Sequence, residues 1–158
     1  MKSMYLVLFS MLYISCSNAQ KSESFDEKSY LLLCKCKFKN YDYVITYRNN
    51  ADSSLYLRKF YNDSGYKNLF AVAYFKNDKF NGPNSVYSLF DGTLFKKGQY
   101  VNDLEEGVFY QYANGRVVKI ERYENGKLSG FTEYYNLKGQ LKKKVLYKNN
   151  QEVYVKRY

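Results

Sequence analysis

Short runs of alternating apolar and polar residues, separated by turn-forming pairs, fill the second half of the chain. Two examples are GVFYQY at 107–112 and RVVKIERY at 116–123, rich in the residue types that favour β-strands. Asn-Gly and Asp-Gly pairs separate such runs, and they favour two-residue hairpin turns whose central residues have positive φ. The pattern predicts an all-β fold, an elongated antiparallel meander of stacked β-hairpins.

Tyrosine and glycine recur in register along this region. One tyrosine recurs at intervals of 26, 23 and 24 residues, at Tyr74, Tyr100, Tyr123 and Tyr147. The first three units also share a glycine, a tyrosine five residues later and a closing glycine: Gly82, Tyr87 and Gly92; Gly107, Tyr112 and Gly115; Gly130, Tyr135 and Gly139. The period predicts repeats over 74–99, 100–122 and 123–146, with a degenerate copy at 47–73 and a half repeat at 147–158. Such end copies are typical of repeat arrays, whose terminal units act as caps.

The repeat at 123–141, Tyr-x-Asn-Gly-Lys-x-x-Gly followed by a tyrosine and a closing Gly-x-Leu, resembles the bacterial variant of the MORN repeat (membrane occupation and recognition nexus). The resemblance implies an elongated antiparallel sheet of stacked hairpins. Many bacterial members carry an antitoxin label, and eukaryotic members are linked to membranes and to protein scaffolding. This chain departs from the pattern by lacking Trp and by placing Asp or Asn where three of its four Asn-first turns would have glycine.

The first nineteen residues, 1–19, are typical of a secretory signal peptide. Lys2 precedes an apolar run at 4–14, shorter than the roughly 20 residues of a membrane-spanning helix. YISC at 13–16 resembles the lipobox of bacterial lipoproteins and makes Cys16 the candidate lipidation site, whereas the small residues at 17–19 fit ordinary cleavage before Gln20. The alternatives are a membrane-anchored lipoprotein of the cell envelope, a soluble periplasmic or secreted protein, and an uncleaved anchor. All three predict export.

The segment between the signal and the repeats divides into a tether and strands. Residues 20–29 are polar and lack an apolar period, which predicts a flexible tether, and residues 30–46 are predicted to form N-terminal strands. Cys34 and Cys36 alternate with lysines there and share one face of a strand. Two buried thiols are favoured, because a bridge between residues two apart lies near the long limit of disulfide geometry. A redox-active pair and a metal site are the alternatives, and the metal site would lack histidine ligands.

Charge and composition limit the chemistry. The chain has 25 Lys and Arg against 15 Asp and Glu, a net charge of +10, which favours anionic partners such as lipid headgroups or acidic glycans. Export argues against nucleic acid as the partner. Histidine is absent from the sequence, which removes the commonest general base and most metal ligands. Every glycine is attributed to the turn pattern, so no phosphate-binding loop is predicted. We therefore expect a non-enzymatic protein without cofactor or metal.

The aromatic residues make binding the favoured function. The 20 Tyr and 11 Phe are more than a single-layered sheet can enclose. Tyr87, Tyr112 and Tyr135 are predicted to form a structural ladder along the sheet, as recurring positions of a repeat usually do. Tyrosine and arginine are frequent at binding contacts. The candidate binding residues are Tyr112, Arg116, Lys119, Arg122, Tyr134, Tyr135, Lys142, Lys143 and Lys144.

Two functions from different classes follow from these features. The favoured one is a cell-envelope interaction module that presents a basic, Tyr-rich sheet surface to an anionic or protein partner. The alternative is an antitoxin-like or immunity-like protein that neutralises a toxin by direct binding. Export fits the favoured function or immunity against an envelope-acting toxin, since an antitoxin against a cytoplasmic toxin needs no export signal.

Overall fold

The described part of the chain forms one antiparallel sheet of twelve strands, which confirms the predicted all-β meander. The structure, a computed structural model, describes residues 27–38 and 42–158, so the signal peptide, Cys16 and most of the tether lie outside the described residues. A short 3-10 turn at Glu27–Ser29 precedes the strands. These are β1 (Tyr30–Phe38), β2 (Asp42–Asn49), β3 (Leu55–Tyr61), β4 (Leu69–Lys76), β5 (Lys79–Tyr87), β6 (Leu94–Val101), β7 (Leu104–Ala113), β8 (Arg116–Glu124), β9 (Lys127–Leu128), β10 (Gly130–Tyr135), β11 (Leu141–Lys148) and β12 (Gln151–Arg157).

Neighbours in the sequence are neighbours in the sheet. The strand order is β1 to β8, then β10, β11 and β12, while the two-residue β9 pairs with β8 beside this path. Because successive strands are antiparallel, successive turns lie on alternate long edges of the sheet. Over the described residues, the chain contains no helix that is both long enough and apolar enough to span a membrane.

The turn chemistry explains why these strands pair as they do. In the described segments, five two-residue turns have positive φ at both positions, as the hairpin turns of type I′ require: Asn77-Asp78, Asn102-Asp103, Asn114-Gly115, Asn125-Gly126 and Asn149-Asn150. The repeat glycines Gly82, Gly107 and Gly130 also have positive φ, of 117°, 75° and 92°. These glycines therefore occupy backbone conformations that other residues rarely adopt.

The side chains that replace the turn glycine tie each repeat to the one before it. The backbone N–H of Asp103 donates to the Phe80 carbonyl at 2.9 Å, and Asp103 Oδ1 accepts from the Phe80 N–H at 2.7 Å. Asn150 makes the same two bonds with Leu128, at 3.0 and 2.6 Å. The equivalent Gly126 keeps only the backbone bond, to Glu105. Asp or Asn in the turn thus adds a hydrogen bond that glycine cannot make.

The tyrosines predicted to form a ladder lie instead at register shifts that recur from hairpin to hairpin. Tyr87, Tyr112 and Tyr135 each follow a register shift of their hairpin, and Tyr61 occupies the same place in the degenerate copy. Among the described residues no ring contact joins Tyr87, Tyr112 and Tyr135 to one another. These three tyrosines therefore do not themselves form a row of contacting rings.

The ladder that does exist runs through other aromatic positions. Ring centroids are 4.6 Å apart for Phe75 and Phe80, and 5.4 Å apart for Phe80 and Tyr100. Phe109 continues it, 5.6 Å from Tyr100 and 5.0 Å from Tyr123. Each such pair contributes about 0.5–1.5 kcal/mol beyond area burial. We call the side of the sheet that carries these rings the ladder face.

Gly98 makes room for the most buried ring of the ladder. Phe109 is 1 % exposed, and a Cβ added at Gly98 would lie only 2.1 Å from its ring. Gly98 lies inside β6, so the attribution of every glycine to a turn is wrong for this residue. Repeat spacing carries no signal for it, because the contact is between neighbouring strands.

Cys34 and Cys36 are joined by a disulfide in β1. Both are half-buried, and they lie opposite the buried Thr46 and Val44 of β2. The pair therefore covers the end of the core on the ladder face. The expectation of two free buried thiols is wrong.

Replacement of Gly98 by alanine tests the packing of the ladder. We expect Gly98→Ala to lower the free energy of unfolding by about 1–3 kcal/mol, the usual cost of overpacking, because the Phe109 ring must move. Urea unfolding measures it. Combining the change with Phe109→Leu should cost less than the sum of the two single changes, and strict additivity would contradict the proposed contact.

Candidate binding surface

The nine candidate residues divide between the two faces of the sheet. Lys119, Tyr134 and Lys143 lie directly opposite one another on β8, β10 and β11, on the ladder face. One position along, Ile120, Glu133 and Lys144 form the matching row of the other face. The sequence suggested one strip, but strand alternation places these cations on two separate surfaces.

On the ladder face, Tyr134 lies between two lysines. Lys119 Nζ is 5.4 Å and Lys143 Nζ 4.9 Å from the centre of its ring, within the range of cation–π attraction. Lys119 Nζ also pairs with Glu121 Oε1 at 2.7 Å, and Glu121 is only 4 % exposed. The ammonium group of Lys119 is therefore already engaged in contacts within the sheet.

On the other face, Glu133 collects cations and a tyrosine. Glu133 Oε1 lies 3.0 Å from Lys144 Nζ, and Oε2 accepts the Tyr135 hydroxyl at 3.1 Å and lies 3.8 Å from Arg122. Partial burial disfavours the charge, but the bonds from Lys144 and Tyr135 and the charge of Arg122 outweigh it and lower the pKa of Glu133. Lys144 and Arg122 thus neutralise a carboxylate rather than face solvent unpaired. No sequence pattern singled out Glu133.

Two shallow depressions flank Tyr135 at the end of this hairpin. One, of about 450 Å³, is lined by Arg116, Val117, Ile120, Tyr135 and Gly139. The other, of about 680 Å³, adjoins it and is lined by Val118, Tyr135, Asn136, Leu137, Lys138, Gln140 and Lys142. Arg116 donates to the Leu137 carbonyl at 2.8 Å, which links the two neighbouring turns. Together we call them the Tyr135 groove. It combines an apolar floor with a cationic rim.

The groove opens on the more basic of the two long edges. Among the described residues, the cationic edge comprises turns with the strand ends beside them, at 61–68, 87–93, 113–116 and 136–142. Its charged residues are Lys67, Arg116, Lys138 and Lys142 against Asp63 and Asp91. The acidic edge comprises 49–54, 76–79, 102–106, 124–127 and 148–152. Its charged residues are Lys76, Lys79, Lys127 and Lys148 against Asp52, Asp78, Asp103, Glu105, Glu106, Glu124 and Glu152. The meander therefore separates charge across its width.

The last candidate, Tyr112, also takes part in an internal contact. Tyr112 lies beside Lys97, whose Nζ is 5.8 Å from its ring centre. Glu105 and Glu106, two consecutive acidic residues of β7, also bond internally. Glu105 pairs with Lys96 at 3.3 Å, and Glu106 accepts from the Asn125 N–H at 2.9 Å. Across the described part of the chain, no cluster of three His, Cys, Asp or Glu residues could hold a metal ion.

Comparisons with known proteins add no identification. No model of a known protein family matches the chain, and no curated protein matches it.

The Glu133 cluster predicts a specific pH dependence of stability. A lowered pKa means that the ionised form stabilises the fold, so this contribution is present at neutral pH and is lost as pH falls below about 4. We expect Glu133→Gln to lower the free energy of unfolding by about 1–2 kcal/mol at pH 7, with the difference closing towards pH 3. Urea unfolding at several pH values measures this. Glu152→Gln on the exposed edge strand is the control, and a gap of constant size for Glu133→Gln would contradict the cluster's role.

Proposed function

We propose that the protein is a non-enzymatic binding module of the cell envelope that presents a basic, Tyr-rich sheet surface to an anionic partner. The Tyr135 groove is the observation that carries this proposal. It is a concave surface with an aromatic ring, two aliphatic side chains, Val117 and Ile120, and the cations Arg116 and Lys142. Binding sites commonly combine an apolar floor with a few placed polar groups.

The groove fits an acidic glycan better than a compact anion. A sugar ring has an apolar face that packs against tyrosine, while its carboxylate can pair with a cation at the rim. The depressions adjoin one another along the cationic edge, so an extended chain of sugars can follow them. The predicted export signal supports an envelope location for such a partner.

Membership of the MORN-like repeat proteins is part of the same proposal. It is supported by the repeated Asn-first turns and by the regular place of Tyr61, Tyr87, Tyr112 and Tyr135 after a register shift. The function rests on the groove and not on that resemblance.

An immunity-like function is the second candidate, and exposed apolar side chains in one turn favour it. Phe90 is fully exposed and Leu89 is 56 % exposed, in the turn between β5 and β6. Exposed apolar side chains of this kind suit a protein partner better than a glycan. Replacement of both by serine is therefore expected to leave glycan binding unchanged.

Charge removal on one edge tests the glycan proposal. We expect the variant Arg116→Gln, Lys138→Gln, Lys142→Gln to bind polygalacturonate about tenfold more weakly, since three surface ion pairs of about 0.5 kcal/mol each sum to that factor. Isothermal titration calorimetry measures the affinity, and circular dichroism checks the fold.

The acidic edge supplies a matched control with the same change in net charge. Lys76→Gln, Lys79→Gln, Lys127→Gln should retain nearly full affinity. Equal losses in both variants would show attraction to net charge alone, and unchanged binding by the first variant would contradict a role for the groove. Vesicles of phosphatidylglycerol in a parallel titration distinguish a lipid headgroup from the glycan.

The mature N-terminus tests the envelope location. We expect mass spectrometry of the protein from its native host to find Cys16 as the first residue, carrying diacylglycerol. A free N-terminal Gln20 would instead indicate a soluble exported protein, and retention of Met1 would contradict cleavage at either site.

A further inference from the structure

The Cys34–Cys36 disulfide lies where a structural crosslink has little to hold. The two cysteines are separated by one residue and belong to the same strand. A disulfide stabilises a fold mainly by restricting the unfolded chain, and the restriction grows with the length of the closed loop. A bond that closes a three-residue loop joins no separate elements. Its contribution to the stability of the sheet is accordingly small.

The position of the pair leaves it open to an external reagent. β1 is the first strand in the sheet order and, among the described strands, pairs only with β2. Cys34 and Cys36 are half-buried, with Thr46 and Val44 beneath them, and among the described residues no second layer covers the ladder face. Lys35 and Lys37, both exposed, alternate with the cysteines. Their charge favours the approach of an anionic thiol.

The fold also accommodates the reduced pair. Two residues two apart on a strand point to the same side, so both thiols would stay over Thr46 and Val44. A free cysteine packs as a small apolar side chain. Reduction thus removes a bond without removing the cover of the core.

We propose that Cys34 and Cys36 form a reversible thiol–disulfide exchange site. An external thiolate attacks one sulfur, a mixed disulfide forms, and the other cysteine leaves as a thiolate. A second external thiolate then attacks the mixed disulfide. Two external thiols become one external disulfide, their two electrons reduce the Cys34–Cys36 bond, and their two protons end on the two cysteine thiols.

The short distance between the two cysteines matters most in the reverse reaction, the oxidation of the reduced pair. When the reduced chain meets an oxidised small thiol, the first cysteine forms a mixed disulfide and the second lies one residue away. Its effective concentration is therefore high, and it releases the small thiol before the adduct accumulates.

Equilibration in glutathione buffers tests the site. The full-length protein is incubated at several ratios of reduced to oxidised glutathione, quenched with acid and alkylated. Peptide mapping by mass spectrometry then reads Cys34 and Cys36 separately from Cys16. We expect a reversible change between a bridged and a dithiol form, with an unchanged circular dichroism spectrum in both.

Single-cysteine variants identify the resolving step. Cys36→Ser and Cys34→Ser should each accumulate the glutathione adduct to a level about tenfold or more above that of the protein with both cysteines. Neither variant retains a second cysteine beside the first to release glutathione. The double variant Cys34→Ser/Cys36→Ser controls for reaction at Cys16. Either of two results would overturn the proposal: a bridge that resists reduced glutathione until the protein unfolds, or a pair that oxidised glutathione never closes. Neither result affects the glycan-binding proposal, because the Tyr135 groove lies at the other end of the sheet.

Discussion

The described residues form a single sheet without a second layer, so its side chains must be buried against neighbours on the same sheet. This constraint explains most of the chain's composition. Large flat rings meet it best, because each can cover the strand beside it. The five rings of the ladder from Phe75 to Tyr123 cover neighbouring strands in this way. Gly98 has no side chain, which leaves space for the Phe109 ring over β6. Lysines complete the cover, as Lys96 does 4.9 Å from the Phe109 ring centre. A high content of Tyr, Phe and Lys is thus first a structural requirement.

The same constraint determines which charges remain for a partner. Lys119, Lys142 and Lys144 were all candidate binding residues in the sequence, yet Lys119 and Lys144 pair with Glu121 and Glu133. A cation inside a strand lies within reach of the neighbouring strands and finds a carboxylate there. Lys138 in a turn, and Arg116 and Lys142 at strand ends beside turns, have fewer such neighbours. The available positive charge therefore gathers at one edge, where the Tyr135 groove opens.

The fold could be predicted from the sequence because its signals are local. Asn-Gly and Asp-Gly pairs specify turns, and alternating residues specify strands, without knowledge of distant contacts. The ladder, Glu133 and the purpose of Gly98 could not be predicted, because each depends on which residues face one another across strands. A register shift before Tyr112 or Tyr135 changes that pairing by one residue, and spacing alone does not reveal it. For the same reason, the sequence did not predict that the candidate residues divide between the two faces.

The repeat of two strands has a consequence for how such a chain can change in length. A unit that leaves one edge and returns to it keeps every later turn on its original side. Whole units can therefore be duplicated or deleted without moving Arg116 or Lys138 to the opposite edge, whereas insertion of a single strand would exchange the edges of everything after it. Tandem duplication of whole units would thus preserve the charge separation between the two edges while the length of the sheet changes.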